Sequence, residues 1–162
     1  MSKRQAFALA AAIFVVDQLF KFWVIGFGLE EKGSVEILPF FNLTWVENRG
    51  ISLGLLQAGS ETARWALVVA TAAIAGVVAW WITRPGEEAE RLGLAMILGG
   101  ALGNIVDRTR LGYVVDYADL HFGAIRPFYV FNIADAAISI GVVILLVRAF
   151  LAKAPEEKET NA

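Results

Sequence analysis

The chain has 162 residues, 57% of them hydrophobic, and a formal net charge of −2. A soluble domain runs at about 45–50% apolar residues, so this chain is greasier than a soluble fold requires, and its charge gives no basic footprint for nucleic acid. It has no cysteine and a single histidine, His121, which excludes disulfide frameworks, thiolate nucleophiles and Cys-ligated zinc and leaves no His cluster for a metal.

The first apolar run, residues 6–27, is long enough for a membrane helix, which needs about 20 apolar residues to cross hydrocarbon. Lys3 and Arg4 precede it like the basic region of a signal peptide. However, Asp17 and Lys21 interrupt its core and no small-x-small site follows closely, so a retained helix is expected. Asp17 and Lys21 stand at i and i+4 and are expected to neutralise each other inside the span, a structural role. Residues 28–62 form the one long connection. Within it, 35–38 and 41–46 flank Pro39 and read as short strands. They predict a small sheet resting on the helices, with Phe40, Phe41 and Trp45 placed to lie on a membrane and clamp an extended peptide. Further apolar runs follow at 63–82, 92–111 and 127–151. The run at 92–111 spans only if Asp107 and Arg108 face protein or water rather than lipid. Trp80 and Trp81 at one end of the second run, with Trp23 and Trp65 near the opposite face, suit interfacial belts. Gly99 and Gly103 make a small-xxx-small pair that predicts close helix packing. The charged tail at 154–162 is expected to be disordered.

These elements predict an α-helical integral membrane protein, a single membrane domain of four transmembrane helices with a small β-sheet in the outer loop between helices 1 and 2. Four spans put both termini on one side. Basic residues divide almost evenly between the two sides, and the pair before the first helix places the termini in the cytoplasm.

Direction then decides where the polar groups meet. The third helix runs outward and ends in Asn104, Asp107 and Arg108, at i, i+3 and i+4 on one face. The fourth runs back inward and begins with Asn132, Asp135 and Ser139, while the loop 109–126 between them carries Asp116 and Asp119. Counting from Pro127, Asp135 is expected roughly 12 Å down the helix axis at 1.5 Å per residue. A carboxylate in a span is costly and marks a functional site by default. Two held together share a proton and titrate apart, so one can deprotonate water while its protonated partner polarises a carbonyl, as in aspartic proteases. Asn104, Asn132 and Arg108 are placed to orient substrate or stabilise an oxyanion. Against this, Asp107 and Arg108 also read as a structural ion pair closing the third helix, Asp119 as a solvated loop charge and His121 as a loop histidine. The glycine-containing stretches 50–59 and 112–123 read as moving parts. Two other function classes use the same residues. A metal-dependent membrane phosphotransferase would bind Mg²⁺ through Asp107, Asp116, Asp119 and Asp135; a small proton-coupled transporter would relay through Asp17, Lys21 and Asp135.

The motif set resembles a known family. Residues 99–108 (Gly-Gly-Ala-Leu-Gly-Asn-Ile-Val-Asp-Arg), Gly112 with Val114-Val115-Asp116-Tyr117, and Phe131-Asn132-Ile133-Ala134-Asp135 are similar to bacterial lipoprotein signal peptidase, signal peptidase II. Upstream, Asp17-Gln18 with Lys21 and Asn48-Arg49-Gly50 resemble its first-helix and outer-loop motifs. The resemblance implies a four-helix inner-membrane aspartic endopeptidase without metal or cofactor, cleaving prolipoproteins before a diacylglyceryl-modified cysteine. It implies Asp116 and Asp135 as the catalytic pair. Asn48, Gly50, Asn104, Asp107, Arg108 and Asn132 would bind substrate or support the site, and Asp17 and Lys21 would be structural. The partners implied are the lipid-modified precursor, membrane lipids and peptide-like inhibitors such as globomycin. One departure is the Ile51-Ser52-Leu53 that follows Gly50, where many members carry small residues and then Phe.

Overall fold

The computed structural model describes residues 1–50, 61–123 and 125–151. The Ile51-Ser52-Leu53 departure, the expected mobility at 51–59 and the expected disorder of the tail lie outside those residues. In chain order the elements are α1 (Lys3–Gly26), α2 (Leu29–Lys32), β1 (Ser34–Leu38), β2 (Phe41–Asn48), α3 (Glu61–Ile82), α4 (Glu88–Arg110), β3 (Val114–Leu120) and α5 (Ile133–Leu151).

α1, α3, α4 and α5 are each long and apolar enough to cross a membrane. α4 is the central helix, packed against α1, α3 and α5. Its apolar window is 56% buried, against 17–22% for the other three. This resolves the difficulty of its charges: Asp107 is only 4% exposed and faces protein, not lipid. The glycine pair allows the approach. A Cβ at Gly99 would strike the Ala10 carbonyl and Ile13 of α1, and one at Gly103 would strike the Asp17 carboxylate. α1 starts with a capping box: Gln5 N donates to Ser2 Oγ at 3.2 Å while Ser2 N donates to Gln5 Oε1 at 2.7 Å. Trp23, Trp65, Trp80 and Trp81 all stay about half exposed, as membrane-facing aromatics do. At the far end from the sheet, Arg148 Nε lies 3.0 Å from Glu87 and its Nη1 lies 3.4 Å from Glu90, tying α5 to the start of α4.

Three sequence expectations need correction. The last helix begins at Ile133, not near Pro127, because Phe131 is taken up by a backbone bridge to Ala118 and Asn132 caps the helix. Asp135 therefore stands in the first turn, about 3 Å past the helix start at 1.5 Å per residue, rather than deep in the span. The stretch 112–123, read as a mobile loop, contains β3, the third strand of the sheet. That strand is buried from Val114 to Tyr117 and beyond. A strand buried on both faces shows no apolar-polar alternation, and that is why its sequence did not announce it.

The sheet is antiparallel in the order β1-β2-β3. Between the pairs Leu43↔Ala118 and Val46↔Asp116, β2 advances three residues while β3 advances two, a β-bulge. Beyond it Asn48 pairs with Val114, two residues from Asp116 and on the same face. Side chains alternate across a strand, so without the extra residue Asn48 would point to the other face. Phe41 and Trp45 do not form an open membrane-facing surface as expected; both pack against a core of Val24, Leu29, Leu43, Val115 and Tyr117. Phe40 remains 45% exposed.

Candidate active site

The sheet end of the bundle gathers a buried polar cluster. Asp17, Lys21, Asn104, Asp107, Asp116, Asp119 and Asn132 are all at least nine-tenths buried. Burying so many polar groups is stable only if each is paired, and the pairing builds the site.

The first layer joins α1 to α4. Lys21 Nζ lies 2.9 Å from Asp17 Oδ2 and 2.7 Å from Asp107 Oδ2. The i, i+4 pair expected from spacing is thus extended to a second carboxylate on another helix. Asp107 accepts Gln18 Nε2 at 3.0 Å and the Val115 amide at 3.2 Å, which holds the start of β3 to α4. The expected Asp107–Arg108 pair is not what closes α4: Lys21 takes the Asp107 carboxylate. Instead Arg64 of α3 closes it, donating from Nε to the Arg108 carbonyl and from Nη2 to the Thr109 carbonyl, both at 2.8 Å.

The second layer is the start of α5. A helix N-terminus leaves its first N–H groups without intrahelical acceptors. Here Ile133 N donates to the Tyr117 hydroxyl at 3.2 Å, Ala134 N to Asp17 Oδ1 at 3.0 Å and Asp135 N to Asn132 Oδ1 at 2.9 Å. Asn132 N in turn donates to Asp135 Oδ2 at 3.3 Å, a reciprocal capping arrangement. Burial pushes the Tyr117 hydroxyl well above its ordinary range, so it stays protonated and its oxygen remains an acceptor.

The third layer joins the two aspartates. Asn132 Nδ2 donates to Asp116 Oδ1 at 2.6 Å, so one asparagine touches both carboxylates. Asn48 Nδ2 donates to Asp116 Oδ2 at 3.0 Å. Asn104 Nδ2 donates to Asp135 Oδ1 at 2.8 Å. The Asn104 amide is oriented from behind, since its Oδ1 accepts Lys21 Nζ at 3.2 Å and Asn132 Nδ2 at 3.3 Å. Asn48 is oriented the same way: its Oδ1 accepts the Gly50 amide at 3.1 Å. Gly50 has φ +92°, where L side chains rarely go, and a Cβ there would overlap the Leu67 side chain. Burial pushes the Asp116 carboxyl up, and the Asp135 charge pushes it further, to about 7, against the opposing hydrogen bonds from Asn48 and Asn132.

The chain's family can be read beside this geometry. A model of signal peptidase (SPase) II matches residues 9–151.

The chain belongs to the signal peptidase II family.

Proteins named lipoprotein signal peptidase match most of its length. That of Sphingopyxis alaskensis is 54% identical over 144 residues, covering 88% of this chain and 83% of the relative. That of Rhizorhabdus wittichii is 49% identical over 156 residues, covering 96% and 91%. Two solved structures described as a bacterial membrane enzyme share the fold. One has a TM-score of 0.75 at 26% identity, covering 98% of this chain and 94% of its own; the other has 0.76 at 25%, covering 93% and 94%. Membership in this family makes it a multi-pass membrane peptidase that acts on prolipoproteins.

Two clefts open beside the aspartates. One of about 230 Å³ is lined by Phe128, Tyr129, Phe131, Asp135, Ser139 and Ile140 and is mostly apolar. The other, of about 550 Å³, is lined by Asn48, Arg49, Gly50, Asp116, Tyr129 and Val130. Arg108 is close enough to feel the charges of Asp135, Asp116 and Asp107, and its Nε is buried without a protein partner among the described residues. Asp119, read from sequence as a solvated charge, is 1% exposed and pairs with Arg126, because β3 carries it into the sheet opposite Asn42. His121 sits just past β3, its backbone N bonded to the Phe40 carbonyl. Sequence reasoning missed Tyr117 as a cap for α5 and Tyr129 as a wall of both clefts. Neither has a spacing signal; their positions follow from the bridge at Phe131.

Proposed function

We propose that this protein cleaves diacylglyceryl-modified prolipoproteins just before the lipidated cysteine, with Asp116 and Asp135 as a metal-free catalytic dyad. The observation that carries this reading is Asn132 bonded to both carboxylates at the sheet end of the bundle, with the Asp116 carboxyl pushed up to about 7. Near neutral pH the Asp116 carboxyl is protonated in a large fraction of molecules. The ionised carboxylate takes a proton from water, whose oxygen attacks the scissile carbonyl carbon. The protonated partner gives its proton to the carbonyl oxygen. Collapse of the gem-diol breaks the C–N bond: one diol hydroxyl returns its proton to the carboxylate that had protonated the carbonyl, and the proton taken from water passes to the leaving amine. Arg108 and the Asn48, Asn104 and Asn132 amides hold the carboxylates and the developing oxyanion in place. Asp17, Lys21, Asp107 and Gly50 hold those groups in turn.

Residues 1–162 act as a single membrane domain in the bacterial inner membrane. Both termini face the cytoplasm and the dyad faces the periplasm, where acyl chains would anchor the modified cysteine in the outer leaflet. Asp135 in the first turn of α5 supports a site at the membrane surface. Membrane lipids and peptide-like inhibitors such as globomycin are the further partners. The test is purified protein in detergent with a prolipopeptide carrying or lacking the diacylglyceryl group, read by mass spectrometry. Cleavage before the modified cysteine only is expected; equal cleavage of both peptides, or of neither, contradicts the reading.

A further inference from the structure

We infer that Asp119 and Arg126 are positioning residues that fix the segment 127–130 as the wall shared by the two clefts. Tyr129 lines both clefts and is 97% exposed; Phe128 lines the one beside Asp135 and Val130 the one beside Asp116. Substrate entering either cleft meets this segment, so its placement sets affinity.

The segment has little else to hold it. Upstream, Phe122 and Ile125 exchange backbone hydrogen bonds at 2.8 and 3.2 Å; downstream, Phe131 exchanges them with Ala118 at 3.0 and 2.7 Å. Among the described residues no backbone hydrogen bond is made by residues 126–130. The side-chain ties are Arg126 Nη2, 3.3 Å from Asp119 Oδ2, and the edge-on contact of the Phe128 and Phe131 rings at 6.5 Å.

Asp119 makes a firm post. Its Oδ2 accepts Thr44 Oγ1 at 3.1 Å, and Thr44 Oγ1 lies 2.8 Å from Ser34 Oγ, so the carboxylate is locked to all three strands. Its Oδ1 is buried without a hydrogen-bond partner among the described residues. A surface ion pair contributes about 0–1 kcal/mol, and Arg126, 62% exposed, looks like half of one. Asp119 is 1% exposed, however, and a buried carboxylate depends on its cation far more than a solvated one does. The pair therefore holds the segment.

This inference rests on the peptidase reading, and the experiment separates the two. Steady-state cleavage of the diacylglyceryl prolipopeptide is measured for the unaltered protein, Arg126→Ala, Arg126→Lys and Asp119→Asn, with melting in detergent alongside. Arg126→Ala should raise KM by about threefold or more with kcat within about twofold, the pattern of lost uniform binding. Arg126→Lys, which keeps a cation beside Asp119, should restore most of the affinity and melt close to the parent, while Arg126→Ala should melt lower yet stay folded. Asp119→Asn should reproduce the KM effect if it folds. A parent that does not cleave sinks both readings. A parent that cleaves, with Arg126→Ala matching it in KM, losing kcat instead, or not rescued by lysine, sinks the positioning role alone.

Discussion

Asn132 and Asp135 cap one another. The Asp135 amide donates to the Asn132 side chain at 2.9 Å, and the Asn132 amide donates to the Asp135 carboxylate at 3.3 Å. A carboxylate at the third position of a helix completes a capping box and faces the positive end of the helix dipole. The Asn132 side-chain Nδ2 donates to Asp116 Oδ1 at 2.6 Å. One local motif thus starts α5, aims Asp135 and ties it to its partner.

The Asn132 side chain serves both aspartates, capping the Asp135 amide through Oδ1 and donating to Asp116 through Nδ2. Asn132→Ala removes a cap that contributes about 1 kcal/mol and frees the Asp116 carboxylate, while the backbone N–H that reaches the Asp135 carboxylate remains. We expect turnover to fall by about 10²-fold or more, in the range ascribed to a well-placed acid–base group. A capped helix start supplied by Asn132→Ser should recover melting temperature but not turnover. Equal recovery of both would show that the asparagine acts only as a cap.

Lys21 stands between two buried carboxylates, at 2.9 and 2.7 Å. Removing one partner of a buried ion pair costs about 3–5 kcal/mol, because a charge is left uncompensated. Lys21→Met should therefore lower the melting temperature in detergent sharply. A melting curve matching the parent would mean that water already solvates the seam.

Gly50 and Asn48 act on Asp116 through one contact path, the Gly50 amide to Asn48 Oδ1 and Asn48 Nδ2 to the carboxylate. Gly50→Ala is strained at φ +92° and should lower turnover. In an Asn48→Ala background, the same change should add little, since coupled residues are not additive. Full additivity of the two losses would contradict a shared path.

The raised Asp116 pKa makes stability depend on pH in a fixed sense. Its folded value is about 7 and its ordinary value 3.8. Between those values the folded state keeps a proton that the unfolded state has released. Stability from this group is therefore full below about 4 and falls as pH rises to about 7. Asp116→Asn, which does not titrate, should gain stability relative to the parent across that window. Melting in detergent at pH 5, 6, 7 and 8 tests this; a gap that narrows with rising pH would reverse the assigned sign.

Much of the site was legible because membrane burial makes polar residues conspicuous. Asp17, Lys21, Asn104, Asp107 and Asp135 interrupt apolar runs, and helix direction brought their ends together. What was not legible depends on contacts with no local signature. Pro127 promised a helix start, yet the bridge from Phe131 to Ala118 delayed it to Ile133. β3 lacked alternation because both of its faces are covered, which also hid the burial of Asp119. The bulge that turns Asn48 toward Asp116 is a register event between two strands far apart in sequence, and nothing in either strand alone specifies it.

The sharpest measurement is single-turnover cleavage of a diacylglyceryl prolipopeptide by the purified parent, Asp116→Asn and Asp135→Asn, with and without EDTA. We expect each substitution to reduce the rate by at least about 10³-fold while the variants stay folded in detergent, with EDTA leaving the parent rate unchanged. Substantial turnover by either variant, or loss of the parent's activity to the chelator, would contradict a two-aspartate, metal-free site.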